Sequence, residues 1–159
     1  LMNSETLWRS VERVVAKNSK ISLARCEGRS VLLDTSFLID LMNGDEGAVE
    51  KAKELERNLV QQRLSSMTLF ELYYGVARSS QSQDEREKIE NILASKPIHP
   101  ADTAVMRKAG RLSGELVSEG NAVGDGDVII GATADVVDEP VLTRNVDDFE
   151  RLGVEIETY

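Results

Sequence analysis

The residues of this sequence best suited to chemistry are carboxylates near the ends of predicted strands. The apolar run at 31–33 predicts a short buried strand, and this strand ends at Asp34. Asp127 opens an apolar segment typical of a buried helix, and Asp148 follows a predicted strand at 140–143. Because the carboxyl ends of parallel strands share one edge of a sheet, we expect these acids to lie close together there.

Each of these acids also fits an ordinary role at the start of a helix. Asp34 could cap the helix expected from Thr35, and Asp125 or Asp127 could cap the apolar helix. Asp147 could cap a later helical fragment in the same way. We favour Asp127 over Asp125 for chemistry because Asp127 opens the buried helix directly, whereas Asp125 lies between two glycines.

Glu71 has the strongest structural alternative among the acids. The run TLFE has the form of a capping box, in which Thr68 caps a helix and Glu71 reaches back to its backbone N–H. Glu71 is also the only acidic residue between positions 57 and 83, and its neighbours are largely apolar. A carboxylate in such surroundings is costly unless it is paired or bound to a metal. The sequence leaves both roles open.

The available ligand types predict a hard divalent cation. Crowded carboxylates repel one another and need positive charge, and oxygen ligands suit Mg²⁺ or Mn²⁺. Zinc and a Ser-His-Asp or Cys-His site have little support, because His99 is the only histidine and Cys26 the only cysteine. A calcium loop beginning at Asp125 fails because Val136 stands where a bidentate glutamate is required.

Composition excludes a protein that holds nucleic acid through a broad basic surface. The 159 residues are 41% hydrophobic, which is enough for one core, and carry a formal net charge of −9. Residues 1–30 hold six basic and three acidic residues, which leaves 13 basic and 25 acidic residues from 31 onward. No apolar run is long enough to span a membrane and no signal peptide is evident, so we expect a cytoplasmic protein.

Strands alternate with helices after residue 29, which predicts a mainly parallel sheet covered by helices on both faces. Residues 1–29 form a separate leader in this interpretation, with an amphipathic helix at 4–17, and residues 30–159 form the main domain. The predicted strands cover 31–33, 63–65, 97–100, 140–143 and 154–156. The first predicted helix is short, contains Phe37, Leu38 and Leu41, and ends near Asn43-Gly44. The other predicted helices cover 46–59, 68–78, 83–94, a segment beginning near Asp102, and the apolar segment 123–137.

Four motifs closely resemble the PIN-domain family, and more narrowly the VapC toxins of toxin-antitoxin pairs. They are VLLDTSFLIDL, SSMTLFELYYGV, DVIIGATA and VLTRNVDDFERLGV, and together they cover about residues 31–157. The resemblance implies a three-layer α/β/α sandwich and an endoribonuclease that depends on Mg²⁺ or Mn²⁺. It also implies a homodimer, a VapB-type antitoxin that blocks the site, and tRNA or rRNA as the target.

The resemblance further implies roles for individual residues. Asp34, Glu71 and Asp127 match the catalytic acids that hold the metal. Many relatives have Asp where this chain has Asn145, so the fourth position is filled by Asp148 or by Asn145 itself. Position alone, apart from the resemblance, makes Arg144 a candidate for facing a phosphate, because it follows the predicted strand at 140–143. The possible auxiliary residues, also suggested by their positions near the acids, are Thr35, Thr143, Asn145 and Asp125.

Two other functions compete with cleavage of RNA. A phosphoryl-transfer domain would also place Asp34 at a strand end, but Ser36 stands where a second aspartate would be expected and no lysine follows the last strands. The second is a PIN-like module that binds RNA or protein without cutting. The effect of removing Asp34 or Asp127 on RNA cleavage distinguishes these functions.

Overall fold

The computed structural model describes residues 28–80 and 82–159, which form a five-stranded parallel sheet between two layers of helices. The strands are β1 (Ser30–Leu33), β2 (Gln61–Ser65), β3 (Ile98–His99), β4 (Val141–Leu142) and β5 (Ile156–Glu157). The helices are α1 (Thr35–Asn43), α2 (Glu46–Arg57), α3 (Ser66–Arg78), α4 (Ser82–Leu93), α5 (Thr103–Ser118), α6 (Asp125–Val137) and α7 (Val146–Arg151). The predicted helix at 4–17 and Cys26 lie outside the described residues, so the leader stays a prediction.

The order of strands in the sheet is β3-β2-β1-β4-β5, and every neighbouring pair is parallel. The central strand β1 is joined past its end to β4, where the Asp34 N–H donates to the Leu142 carbonyl at 3.0 Å. Because all strands run the same way, Asp34, Ser65 and Thr143 follow or close their strands at one common edge. The predicted three-layer α/β/α fold is confirmed.

The alternation of side chains along β1 builds two separate cores. Val31 and Leu33 face the layer formed by α1 to α4, while Leu32 faces the layer formed by α5 to α7. The predicted burial of α6 is confirmed in its middle, where residues 130–134 are all buried. Within this stretch the Thr133 hydroxyl lies 3.2 Å from the Ser65 hydroxyl, which holds α6 against the end of β2.

The start of each helix tests the predicted caps. Asp34 does cap α1, because its side chain accepts from the Ser36 N–H at 3.3 Å. The caps predicted at Asp125 or Asp127 and at Asp147 are wrong. Helix α6 follows Gly124 and α7 follows Asn145, and neither of these residues makes a side-chain cap hydrogen bond. The acids therefore lie within first turns, where the helix dipole favours negative charge.

Within the described part of the chain, no helix combines the length and the apolar character that crossing a membrane requires.

The end of α1 generates a prediction about stability. Gly44 has φ 77°, and its N–H donates to the Leu41 carbonyl at 3.1 Å, so Gly44→Ala should cost about 1 kcal/mol of unfolding free energy. Gly110→Ala is the matched control, because Gly110 is exposed on α5 and a Cβ there meets nothing within 4 Å. Helix propensity predicts that this control is stabilised by up to about 1 kcal/mol. Denaturant unfolding measures both, and equal effects would contradict the interpretation.

Candidate active site

Asp34 occupies a buried position at the centre of the carboxyl edge, where it is only 3% exposed. Its Oδ2 accepts three hydrogen bonds, from the Ser36 N–H at 3.3 Å, the Ser36 hydroxyl at 2.6 Å and the Thr143 hydroxyl at 2.8 Å. A buried carboxylate needs such donors to offset its lost hydration. These contacts fix Asp34 between α1 and β4, and all of them end on the same oxygen.

Glu71 reaches this edge from α3. Its Oε2 accepts a hydrogen bond of 2.5 Å from the Thr35 hydroxyl, which belongs to the first turn of α1. Burial raises the pKa of Glu71 most, the negative charge of Asp34 raises it further, and the hydrogen bond from Thr35 lowers it. The chain thus brings Glu71 close enough to Asp34 for the two charges to interact.

The capping box predicted for Glu71 is wrong. Helix α3 begins two residues earlier, at Ser66, because the Ser65 hydroxyl accepts from the Met67 N–H at 3.1 Å and caps the helix. Thr68 is therefore inside the helix, fully buried, with its hydroxyl 3.5 Å from the Leu33 carbonyl. Glu71 therefore does not cap α3, and its side chain contacts α1 instead.

Gly126 is a site residue that the sequence reasoning missed. A Cβ at this position would lie 3.1 Å from Glu71 Cδ and 3.5 Å from Met67 Cε, and closer still to Glu71 Oε1. Only a glycine lets the Glu71 carboxylate approach the first turn of α6 this closely, where the helix dipole favours it. The signal was present in the sequence as the glycine between Asp125 and Asp127.

Asp127 is the most strongly perturbed acid of the edge. Burial raises its pKa from 3.8 to about 6, with further increases from the charges of Asp34, Glu71 and Asp148 and a decrease from the Asn145 hydrogen bond. Three acids that are far apart in sequence, Asp34, Glu71 and Asp148, are therefore close enough to Asp127 to affect its pKa. The convergence expected from the strand ends is present as electrostatic coupling.

Asn145 lies between two of these acids. Its Nδ2 donates to Asp127 Oδ2 at 2.8 Å and to Asp148 Oδ2 at 2.9 Å, while its backbone N–H donates to the Thr143 hydroxyl at 2.9 Å. Asp148 also pairs with Arg151 at 2.9 Å. The amide joins α6 to α7 by supplying donors to two carboxylates that would otherwise repel each other.

The eight candidate residues from the sequence divide into two groups. Seven belong to the network of contacts and charges at the edge: Asp34, Thr35, Glu71, Asp127, Thr143, Asn145 and Asp148. Asp125 is exposed on the first turn of α6 and takes part in none of the contacts described above. Across residues 28–80 and 82–159, no three His, Cys, Asp or Glu side chains already surround a point that could hold a metal ion, so metal ligation stays a prediction.

Comparison with known proteins identifies the family of this chain. The sequence profile of the PIN domain matches residues 31–155. The chain belongs to the PIN domain family. This match takes in β1 with Asp34, the α3 segment with Glu71, the start of α6 and the β4–α7 segment, so every member of the network lies within this PIN domain.

The relatives of this PIN domain include VapC ribonucleases. A tRNA(fMet)-specific endonuclease VapC of Shigella flexneri is 28% identical over 122 residues, covering 77% of this chain and 91% of that protein. Ribonuclease VapC19 of Mycobacterium tuberculosis is 31% identical over 118 residues, covering 74% and 90%. The DNA-bound VapBC structure from Salmonella typhimurium has a TM-score of 0.71 at 27% identity, covering 82% of this chain and 98% of that one. The resemblance to PIN-domain VapC proteins is confirmed.

The crowding around Asp127 predicts a pH-dependent change in stability. The pKa of Asp127 is higher in the folded protein than in the unfolded chain, so the protonated acid favours folding. This contribution to the unfolding free energy is fully present below the ordinary pKa and is lost as the pH rises through about 6. In chelator at about pH 8, Asp127→Asn should therefore stabilise the fold by about 1 kcal/mol, or about 3 °C, after allowance for a half-exposed carboxyl. The gain should vanish near about pH 4, where wild-type Asp127 is protonated.

Asp125→Asn is the matched control for this measurement, because Asp125 lies on the same turn but is exposed. Thermal melts of both variants across this pH range give the comparison. The interpretation that burial and neighbouring acids destabilise ionised Asp127 would be contradicted by an equal stability gain in the control. A stability gain that does not depend on pH would contradict it as well.

Proposed function

We propose that this PIN domain is a metal-dependent endoribonuclease, the toxin of a VapBC-type toxin-antitoxin pair. The observation that carries the proposal is the gathering of acids at one edge of the sheet. Asn145 donates to both Asp127 and Asp148, and the Glu71 carboxylate packs against Gly126 next to Asp127. In keeping with these contacts, burial and then the charges of Asp34, Glu71 and Asp148 raise the pKa of Asp127. Burial and like-charge repulsion of this kind are typical of functional sites. The VapC ribonucleases among its relatives support RNA as the substrate class.

The chemistry of the donors fits a divalent cation such as Mg²⁺ or Mn²⁺. The set consists of oxygen ligands, and its mutual repulsion would be relieved by positive charge. We propose Asp34, Glu71, Asp127 and Asp148 as the acids that hold the ion. When bound, the cation would supply positive charge to the phosphodiester and lower the pKa of the attacking water.

The other residues of the network would hold these acids in place. Ser36 and Thr143 bind Oδ2 of Asp34 and leave Oδ1 for the ion, while Thr35 fixes the Glu71 carboxylate. Asn145 would keep Asp127 and Asp148 oriented, as it does through its two donated hydrogen bonds. Such supporting contacts reduce the reorganisation that ligand binding would otherwise require.

The proposal extends to substrate, partner and assembly. A structured RNA such as tRNA is the proposed substrate, because the Shigella relative is a tRNA(fMet)-specific endonuclease. A cation at the site would offset the acidic charge of this chain. A VapB-like antitoxin is the proposed partner, since the Salmonella structure is a VapBC complex. We further propose a cytoplasmic homodimer, with residues 30–159 as the nuclease domain and 1–29 as a leader.

Replacing Asp34 tests the proposed chemistry most directly. Asp34→Asn keeps the shape of the side chain but removes the charge, so cleavage of a panel of tRNA and rRNA transcripts in Mn²⁺ should fall by on the order of 100-fold or more. Calorimetric binding of Mn²⁺ should weaken in parallel. Asp45→Asn is the matched control, because Asp45 caps α2 and asparagine caps equally well.

Full cleavage by the Asp34→Asn variant would refute the mechanism. Absence of cleavage by the wild-type protein across the whole panel, with RNA binding retained, would instead support a binding module.

Gly126→Ala tests whether the position of Glu71 matters for activity. The added methyl group would displace the Glu71 carboxylate, so Mn²⁺ affinity and cleavage should each fall by about 10- to 100-fold. Gly124→Ala is the control, because a Cβ at 124 meets nothing within 4 Å. Equal activity in the two variants would show that Glu71 does not act at the site.

A further inference from the structure

Arg144 is held on α1 by both its backbone and its side chain. The backbone N–H donates to the Ser36 hydroxyl at 3.2 Å, and the guanidinium Nη1 lies 2.8 Å and 3.0 Å from the two carboxylate oxygens of Asp40. Ser36 and Asp40 are four residues apart and share a face of the helix. Since Ser36 also donates to Asp34, the contacts of Arg144 continue directly from those of the carboxylate edge.

Asp40 is itself held by a second donor. The Tyr159 hydroxyl donates to Asp40 Oδ2 at 2.7 Å, and the Tyr159 ring packs edge-on against Phe37 with centroids 5.0 Å apart. Burial and then Asp40 raise the pKa of Tyr159 far above its ordinary value, so the hydroxyl stays a donor. Asp40 is buried, so its packing fixes the position of the Arg144 charge more firmly than a surface partner would.

The guanidinium nevertheless faces solvent. The Arg144 side chain is 66% exposed, while its partner Asp40 is 11% exposed. Only Nη1 is used in the Asp40 contacts, and a guanidinium carries five N–H donors in a fixed fork. A purely structural ion pair would gain from covering both groups. Here one charge is buried and the other is exposed, on a side chain whose backbone lies between Thr143 and Asn145.

We propose that Arg144 binds a phosphate group of the RNA backbone next to the carboxylate edge, and that Asp40 and Tyr159 are positioning residues for it. This inference rests on the proposed ribonuclease function. A planar guanidinium that is already oriented matches the geometry of a phosphate and loses little freedom on binding. It also places a positive charge at the rim of an acidic site, where an RNA strand would otherwise be repelled.

The test measures binding of a fluorescein-labelled tRNA transcript to the full chain carrying Asp34→Asn, in Mg²⁺ and over a series of salt concentrations. Adding Arg144→Gln should weaken binding about ten-fold and reduce the slope of log Kd against log salt by about one. Adding Tyr159→Phe should weaken binding about two- to three-fold and leave the slope unchanged, because the charge stays but is less well oriented.

Arg111→Gln is the matched control. Arg111 is 64% exposed and pairs with Glu115 at 3.6 Å on α5, so it resembles Arg144 in exposure but has an exposed partner where Arg144 has a buried one. We expect its removal to change neither the affinity nor the salt slope. Arg144→Lys should recover the slope but only part of the affinity, because an ammonium keeps the charge without the planar fork.

Three results would overturn the inference. The first is an Arg144→Gln variant that binds like the Arg111→Gln control, and the second is a salt slope that does not change. If the wild-type protein cleaves the same transcript in either case, the proposed function stands and only the role of Arg144 fails. The third is an Asp34→Asn parent that does not bind the transcript together with a wild-type protein that does not cleave it, which removes both proposals. Full affinity in Tyr159→Phe would remove the positioning role alone.

Discussion

The three hydrogen bonds to Oδ2 of Asp34 join the parts of the molecule on which the carboxylate edge depends. They connect the end of β1 to the first turn of α1 and to Thr143 after β4, all at the centre of the parallel sheet. A carboxylate that is 3% exposed would be costly to bury without them. The position of Thr143 in turn fixes Asn145, so the neighbouring acids take their places relative to Asp34.

Repulsion among acids is the energetic cost of this arrangement, and the fold offsets it with several separate contacts. Asn145 bridges Asp127 and Asp148, Thr35 donates to Glu71, and α6 presents the positive end of its dipole to the edge. The pKa of Asp127 nevertheless stays raised, first by burial and then by the charges of Asp34, Glu71 and Asp148, so these contacts offset the cost only in part. A divalent cation would relieve the rest, which links the stability of the edge to the proposed chemistry.

Two faces of α1 serve different parts of the site. Thr35 contacts Glu71 on α3, whereas Ser36 and Asp40 contact the segment after β4 through Arg144. Helix α1 therefore lies between the acids proposed to hold the metal and the cation proposed to contact RNA. Asp40 is hydrogen-bonded to Tyr159, which lies 125 positions after Asp34 in the sequence. The geometry of the site therefore depends on residues that are far apart along the chain.

The sequence by itself determined the α/β/α fold, the acids of the edge and the family. The spacing of apolar residues and the positions of turn residues predicted strands followed by acids. In a parallel sheet the carboxyl ends of the strands share one edge, so those acids must lie there. Helix starts were less predictable: TLFE satisfied the capping-box pattern, yet Ser65 capped α3 and freed Glu71. Local pattern cannot rank two hydroxyl residues that are both able to cap, because the choice depends on where β2 ends in the sheet. Only the tertiary structure decided the contacts between distant segments. These are the approach of Glu71 to Gly126, the hydrogen bond from Asn145 to Asp127, and the ion pair of Arg144 with Asp40. Packing brings these residues together, and their spacing along the chain does not predict it.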